Sequence, residues 1–243
     1  PGFRIRVTVL SRDKKIAKLF VTAMLITMKY LGIGGAANRG FGRFRLVKII
    51  DGNVIKDINT NIDITRDDIY AELRSMGFEP RIDPRKGDSL FPRFPLPSEV
   101  RVVKGPASAL INGRKYRAKD IEGALAAIGI ATLKLTWKSH CGNLKGSGRE
   151  YHTWVLGLPR TGYSTRGSNR RQSYIVISPT EGLGALLIPF YANDYPGIVH
   201  RDHGSMEVTR VRRMAPNCRP LNPSGSVRDH VDLAMEWLEA LLG

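Results

Sequence analysis

Residues 31–46 read LGIGGAANRGFGRFRL, and this glycine-rich stretch decides how the first part of the chain folds. Five glycines fall between residues 32 and 42, and a run of residues with low helix propensity ends any helix that precedes it. Upstream, apolar residues at helical spacing behind Ser11 and Asp13 predict a helix over residues 12–31. Downstream, residues 44–50 are typical of a strand. The predicted order is helix, glycine loop, strand.

The glycine loop admits three interpretations. Gly32, Gly34 and Ala37 imitate the dinucleotide-binding fingerprint, but that motif follows a strand and opens a helix, the reverse of the order here. A plain helix stop needs only one or two glycines. The third interpretation is a platform whose close-approaching backbone N–H groups bind phosphate, with arginines adding charge and forked donors. We favour the platform.

A second arginine-rich loop, residues 160–171, has the same character, since serine, threonine, glycine and Tyr163 separate its cations. We expect nucleic-acid contacts from both loops. The expected contact residues are Gly34, Gly35, Asn38, Arg39, Gly40, Phe41, Gly42, Arg43 and Arg45 in the first loop, and Arg160, Arg166, Arg170 and Arg171 in the second.

The charge of the chain favours a polyanionic partner. Its 243 residues contain 38 Lys and Arg against 22 Asp and Glu, a net charge of +16. The surplus lies at the two ends: residues 1–50 carry +10, residues 51–99 carry −3 and residues 100–243 carry +9. A positive field of this size attracts nucleic acid above other common partners.

The remaining patterns predict an α+β protein with antiparallel sheets. Phe3, Ile5, Val7 and Val9 alternate with polar residues and predict a first strand. Further strands are predicted near residues 100–103, 132–137, 151–157, 174–178 and 183–190, and further helices near residues 66–76 (closed by Gly77), 118–129 and 227–242. These elements do not follow the regular alternation of a parallel α/β sheet, which favours α+β.

The glycine loop and its preceding helix resemble the glycine-rich loop of the RAMP superfamily, the ferredoxin-like, RRM-related subunits of type III CRISPR RNA-guided effector complexes. The segments HTWVLGLPR (152–160), SNRRQSYIVISP (168–179) and LGALLIPF (183–190) add to the resemblance, which is greatest to the first subunit of the Cmr-type, RNA-targeting complex. It implies a first ferredoxin-like domain at residues 1–58, an acidic, proline-rich connection at 59–98 and a second ferredoxin-like domain at 99–243.

The resemblance implies a non-catalytic, RNA-binding role in antiviral defence. Its expected partners are CRISPR RNA, target RNA and the other subunits of a Cmr-like complex, with the guide RNA held by its backbone. The family's opening strand and its glycine–arginine segment are missing, so residues 1–58 supply only the closing β-α-β of the first domain. We expect a separate chain or an upstream segment to complete it.

Two other functions stay open. One is a CRISPR-processing endoribonuclease in which His140, His152 or His200 is the general base. The other is a scaffold whose basic surfaces dock acidic proteins. We expect no cofactor and no metal, because His200 and His203 lack the paired ligand spacing of zinc sites.

Cysteine usage and hydropathy bear on location. Cys141 and Cys218 are too few for a disulfide framework, which favours a reducing cytoplasm. The sequence has no apolar run of 18 residues, so no membrane partner is expected.

Overall fold

The computed structural model describes residues 6–28, 48–51, 54–57, 71, 73–78, 95, 97–112, 114–141, 155–157, 163–165, 173–192, 198–200, 204–206, 213–221 and 227–243. Its helices are α1 (Lys14–Ile26), α2 (Ile121–Ala131), α3 (Lys134–His140) and α4 (Val227–Leu242), with a 3-10 turn at Pro97–Glu99. Its strands are β1 (Lys48–Asp51), β2 (Val54–Asp57), β3 (Arg101–Val103), β4 (Ser108–Ile111), β5 (Arg114–Arg117), β6 (Tyr163–Thr165), β7 (Ile175–Pro179), β8 (Ala185–Pro189), β9 (Ile198–His200), β10 (Gly204–Met206), β11 (Arg213–Met214) and β12 (Pro220–Leu221).

Every strand pairing in the described residues is antiparallel. The sheets have the orders β3-β8-β7, β6-β9-β10, β1-β2, β4-β5 and β11-β12. Helices and antiparallel sheets together confirm the α+β class predicted from the sequence.

The sheet β3-β8-β7 lies at the centre of the described structure and is covered on both faces. In β7, Ile175 and Ile177 point into the larger core, which includes α2 and α4, while Val176 points to the opposite side. In β8, Leu187 belongs to the larger core and Ile188 to the opposite side. The period-two alternation of a strand therefore serves two apolar layers, which explains why these strands read as almost unbroken apolar runs.

The C-terminal end of helix α1 packs on the second face of this sheet. Ile26 is buried in one cluster with Val176 and Ile188. The helix begins where Asp13 accepts a hydrogen bond from the backbone N–H of Lys15 (2.8 Å). Ile16 and Phe20, predicted to belong to the same apolar stripe, are 55% and 52% exposed. Only the last turns of the predicted stripe are therefore buried in the described structure.

Helix α4 supplies much of the larger core, as its amphipathic sequence predicts. Trp237 is fully buried and stacks on Trp137 of α3 with ring centroids 5.1 Å apart. The indole N–H of Trp137 donates a hydrogen bond to the carbonyl of Ala131 (2.6 Å), so its one polar atom is satisfied in the core.

Several sequence predictions are confirmed within the described residues. The strands near residues 100–103, 174–178 and 183–190 correspond to β3, β7 and β8, and the helices near 118–129 and 227–242 to α2 and α4. Gly77 closes a helical turn as predicted: it has φ +83°, and the N–H groups of Gly77 and Phe78 bind the carbonyls of Arg74 and Leu73. This pair of bonds is a Schellman motif.

Three strand predictions are wrong where the structure describes them. Residues 6–10 form no strand, and Leu10 is 90% exposed. The predicted strand at 132–137 is largely helix α3, because burial of Trp137 and Thr136 outweighs the alternation of Leu133 and Leu135, both of which are exposed. Residues 155–156 form a 3-10 turn rather than the end of a strand.

Cys141 and Cys218 form a disulfide, which their small number did not predict. The bond joins the end of α3 to the segment between β11 and β12, across 77 positions of sequence. Both residues pack against the larger core. The inference of a reducing environment from the cysteine count therefore loses its basis.

Gly184 permits the close approach of β8 to the end of β3. A Cβ atom at this position would lie 2.1 Å from the carbonyl oxygen of Val103 and 2.7 Å from that of Gly105. The Gly184 N–H also binds the Thr180 hydroxyl (3.0 Å) and holds the turn between β7 and β8. No residue with a side chain fits there without moving one strand away from the other.

We expect Gly184→Ala to lower the free energy of unfolding by about 2 kcal/mol or more, because the new methyl group meets backbone that cannot rotate away. Urea denaturation measures the change. Gly182→Ala is the matched control, since a Cβ at that position has no heavy atom within 4 Å. Equal effects of the two substitutions would contradict the close approach.

We expect replacement of both Cys141 and Cys218 by serine to lower the free energy of unfolding by about 2–5 kcal/mol, because the closed loop is long and its ends pack in the core. Urea denaturation of the variant and of the unreduced wild type measures the difference. Thiol titration of unreduced, denatured protein is the check on the bond itself. Two free thiols per chain would contradict the bond.

Candidate nucleic-acid interface

The thirteen residues predicted to contact nucleic acid lie outside the described residues. The structure describes what flanks them. Helix α1 precedes the glycine loop and β1, beginning at Lys48, follows it. Arg160 precedes β6, whereas Arg166, Arg170 and Arg171 lie between β6 and β7. Their part in binding therefore stays a prediction. The prediction of one loop over residues 160–171 is wrong at its centre, because residues 163–165 form β6 and pair with β9.

Within the described residues, the clearest basic surface is the hairpin of β4 and β5. The strands pair antiparallel, with Ser108 opposite Arg117, Ala109 opposite Tyr116 and Ile111 opposite Arg114. β4 enters the core with Ala109, whereas all four residues of β5 are exposed. β5 is thus an edge strand that presents its side chains to solvent on both of its faces.

The cations of this hairpin are not neutralised by neighbouring acids. Arg114, Lys115, Arg117 and Lys119 fall within six residues, and residues 104–119 contain no Asp or Glu. In the part of the chain that the structure describes, the ion pairs are made by Arg101 and Arg228, and none reaches β5. The next acid, Asp120, caps α2 by accepting from the N–H of Gly123 (2.7 Å).

The ion pairs made by Arg101 show the contrast. Its guanidinium lies 3.3 Å from Glu239 and 3.8 Å from Glu236, both on α4. Acidic residues of α4 thus compensate the cation of the central sheet. α2 contacts β5, but no acidic side chain of the described structure forms an ion pair with the cations of that strand. The exposed edge of the hairpin keeps its positive field.

The sequence contains a signal for this hairpin that is not among the strand predictions. Asn112-Gly113 stands between two short strand-like segments, the strongest short-range hairpin pattern. Asn112 has φ +50°, the backbone region such turns require. Residues 114–119 contain four cations, one tyrosine and one alanine, so they lack the apolar alternation by which other strands were recognised.

A second polar cluster joins Tyr191, at the end of β8, to α4. The Tyr191 hydroxyl donates a hydrogen bond to Asp232, and the Arg228 guanidinium lies 4.8 Å from the centre of the tyrosine ring. Arg228 also pairs with Glu99 (3.1 Å). Burial, followed by the hydrogen bond and the charge of Asp232, raises the pKa of Tyr191 well above its ordinary value. The interactions bind neighbouring elements together and are structural in character.

Of the histidines considered for catalysis, His140 is the one whose surroundings the structure describes. His140 is exposed; its Nε2 lies 3.2 Å from the carbonyl of Pro216, and its ring meets the edge of Trp237. His200 lies on β9, and His152 and His203 are outside the described residues. Cys141 is held in the disulfide and supplies no thiolate ligand. The described residues contain no group of three His, Cys, Asp or Glu side chains placed to hold a metal ion.

Comparison with known proteins identifies no relative: no family model, no curated protein and no solved structure matches the chain. Among the described residues, none of the helices is both long enough and apolar enough to cross a bilayer.

Tyr191 makes stability depend on pH in the alkaline range. Because its pKa is raised in the folded chain, the unfolded chain loses this proton first, and the contribution to stability declines as pH rises above about 10. We expect Tyr191→Phe to remove this part of the decline. The difference in unfolding free energy between wild type and variant should shrink by up to about 1.4 kcal/mol per pH unit above pH 10. Urea denaturation at pH 7–11.5 measures it. Parallel stability curves would contradict it.

Proposed function

We propose that this protein is a non-catalytic RNA-binding subunit of a type III, Cmr-like CRISPR RNA-guided interference complex. It contacts the backbone of guide RNA, target RNA or both through the glycine loop and the basic segment at residues 160–171. The observation that carries the proposal is the segment GIGGAANRGFGRFRL, residues 32–46, with its five glycines and three arginines.

The elements on either side support a phosphate platform over a dinucleotide site. A dinucleotide fingerprint needs a strand before it and a helix after it. Here α1 precedes the segment and β1 follows it. A loop that leaves a helix and enters a sheet can instead place backbone N–H groups and arginines beside a sugar–phosphate strand.

The net charge of +16 supports a nucleic-acid partner independently of the motif. A complex that reads its target by base pairing needs the protein mainly to hold the RNA backbone, and charge serves that purpose without sequence specificity. The exposed cations of β5 add to this support, because no acidic side chain of the described structure forms an ion pair with them.

The finer fold belongs to the same proposal: both domains are ferredoxin-like. The antiparallel sheets are compatible with this arrangement. We place the protein in the cytoplasm, where such complexes meet RNA. A disulfide there is expected of hyperthermophilic organisms, whose intracellular proteins retain such bonds, and is unusual elsewhere.

We expect Arg39→Ala with Arg43→Ala to weaken binding of labelled single-stranded RNA and to reduce the slope of log affinity against log salt by about 1.4, the effect of two lost phosphate contacts. Filter binding at several salt concentrations measures both quantities. Arg74→Ala with Arg219→Ala is the matched control, because it removes two exposed cations from other parts of the surface.

Two outcomes would count against the proposal. Equal affinity and equal salt slope in wild type and the Arg39/Arg43 variant would remove the glycine loop from the interface. Cleavage of the RNA during the titration, lost on replacement of His140, His152 or His200, would replace the binding role by the endoribonuclease. Gel analysis of the same samples reports on RNA integrity.

A further inference from the structure

We propose that the hairpin of β4 and β5 is a further RNA-binding surface, with single-stranded RNA lying along the exposed edge of β5. This inference rests on the proposed function for the nature of the polyanion. Its evidence is separate, because the hairpin is described by the structure and shares no residue with the two predicted loops. The residues assigned to contact are Arg114, Lys115, Tyr116, Arg117 and Lys119.

The alternation of β5 gives the two faces of the strand different cations. Arg114 and Tyr116 lie on one face, about 6.8 Å apart along the strand, and Lys115 and Arg117 lie on the other. A phosphate strand passing along the edge meets cations from both sides. Arginine adds paired N–H donors that match phosphate geometry, which lysine alone does not.

Tyr116 indicates a single strand rather than a duplex. Its side chain is 50% exposed, opposite Ala109, and shares a face of the hairpin with Ile111, which is 42% exposed. Exposed aromatic rings among cations stack on the unpaired bases of single-stranded nucleic acid, whereas the bases of a duplex are already stacked on each other. The exposed side chains of Tyr116 and Ile111 gain no stacking contact from a phosphate backbone alone.

Protection of a sheet edge is the competing explanation, because charged residues on edge strands prevent association with other chains. One or two lysines serve that purpose. Here four cations and an exposed tyrosine lie within six residues, and no acidic side chain of the described structure forms an ion pair with the cations of β5. Charge complementarity therefore favours a polyanion over an empty edge.

The test is a titration of the full chain with a labelled, unstructured single-stranded RNA at several salt concentrations. We expect Arg114→Ala with Arg117→Ala to weaken binding about tenfold at low salt and to reduce the salt slope by about 1.4. We expect Tyr116→Ala to weaken binding about tenfold with an unchanged slope, because stacking involves no counterion.

The control is again Arg74→Ala with Arg219→Ala, which also lowers the net charge by two. All five positions are exposed, and circular dichroism verifies that each variant is folded.

The outcomes separate this inference from the proposed function. If wild type binds and the hairpin variants bind equally well, the hairpin inference is overturned and the proposed function survives. If the hairpin variants weaken binding but the Arg39/Arg43 variant does not, the hairpin inference stands and the glycine loop is excluded. A parallel titration with polyglutamate tests for a general anion surface. If Arg114→Ala with Arg117→Ala weakens the binding of RNA and of polyglutamate equally, and Tyr116→Ala has no effect, the RNA assignment is overturned. No RNA binding by the wild type would overturn both.

Discussion

The described structure depends on one constraint: the strands β7 and β8 must bury apolar side chains on both faces at once. Ile177 and Leu187 face α2 and α4, while Val176 and Ile188 face α1. Because neighbouring residues of a strand point to opposite faces, a shift of one residue would exchange the two sets. Gly184 keeps the turn between β7 and β8 close to the backbone of β3, and so helps to hold the three strands in register.

The packing of α4 against the sheet also determines which cations are paired with acidic side chains. The acidic side chains Glu236 and Glu239 of α4 lie beside Arg101 of the sheet, and Arg228 of α4 pairs with Glu99 of the 3-10 turn. Polar interactions of this kind tie the terminal helix to the elements next to it. The β4–β5 hairpin lies outside this compensation, because only β4 enters the core and β5 forms an edge. An excess of positive charge on an edge strand is a surface feature that packing neither requires nor opposes.

Sequence patterns predicted those elements whose packing follows from local periodicity. The apolar runs of β7 and β8, the stripe of α4 and the stop at Gly77 were all recognisable. α3 was not, because its sequence LKLTW alternates like a strand, whereas the burial of Thr136 and Trp137 favours the helical conformation. The β5 strand was missed because it buries nothing and so leaves no apolar signature. The disulfide depends on the approach of residues distant in sequence, which local patterns do not contain.

The disulfide between Cys141 and Cys218 has a consequence for the integrity of the chain. Together with the backbone between them, it closes a covalent ring that contains β6 to β11 and the arginine-rich segment at residues 160–171. A single proteolytic cut inside this ring opens it without releasing a fragment. The helix α4 and the strands β3 to β5 then stay linked in one molecule until the bond is reduced. A cut at any position between Cys141 and Cys218 thus leaves the two ends of the chain covalently joined.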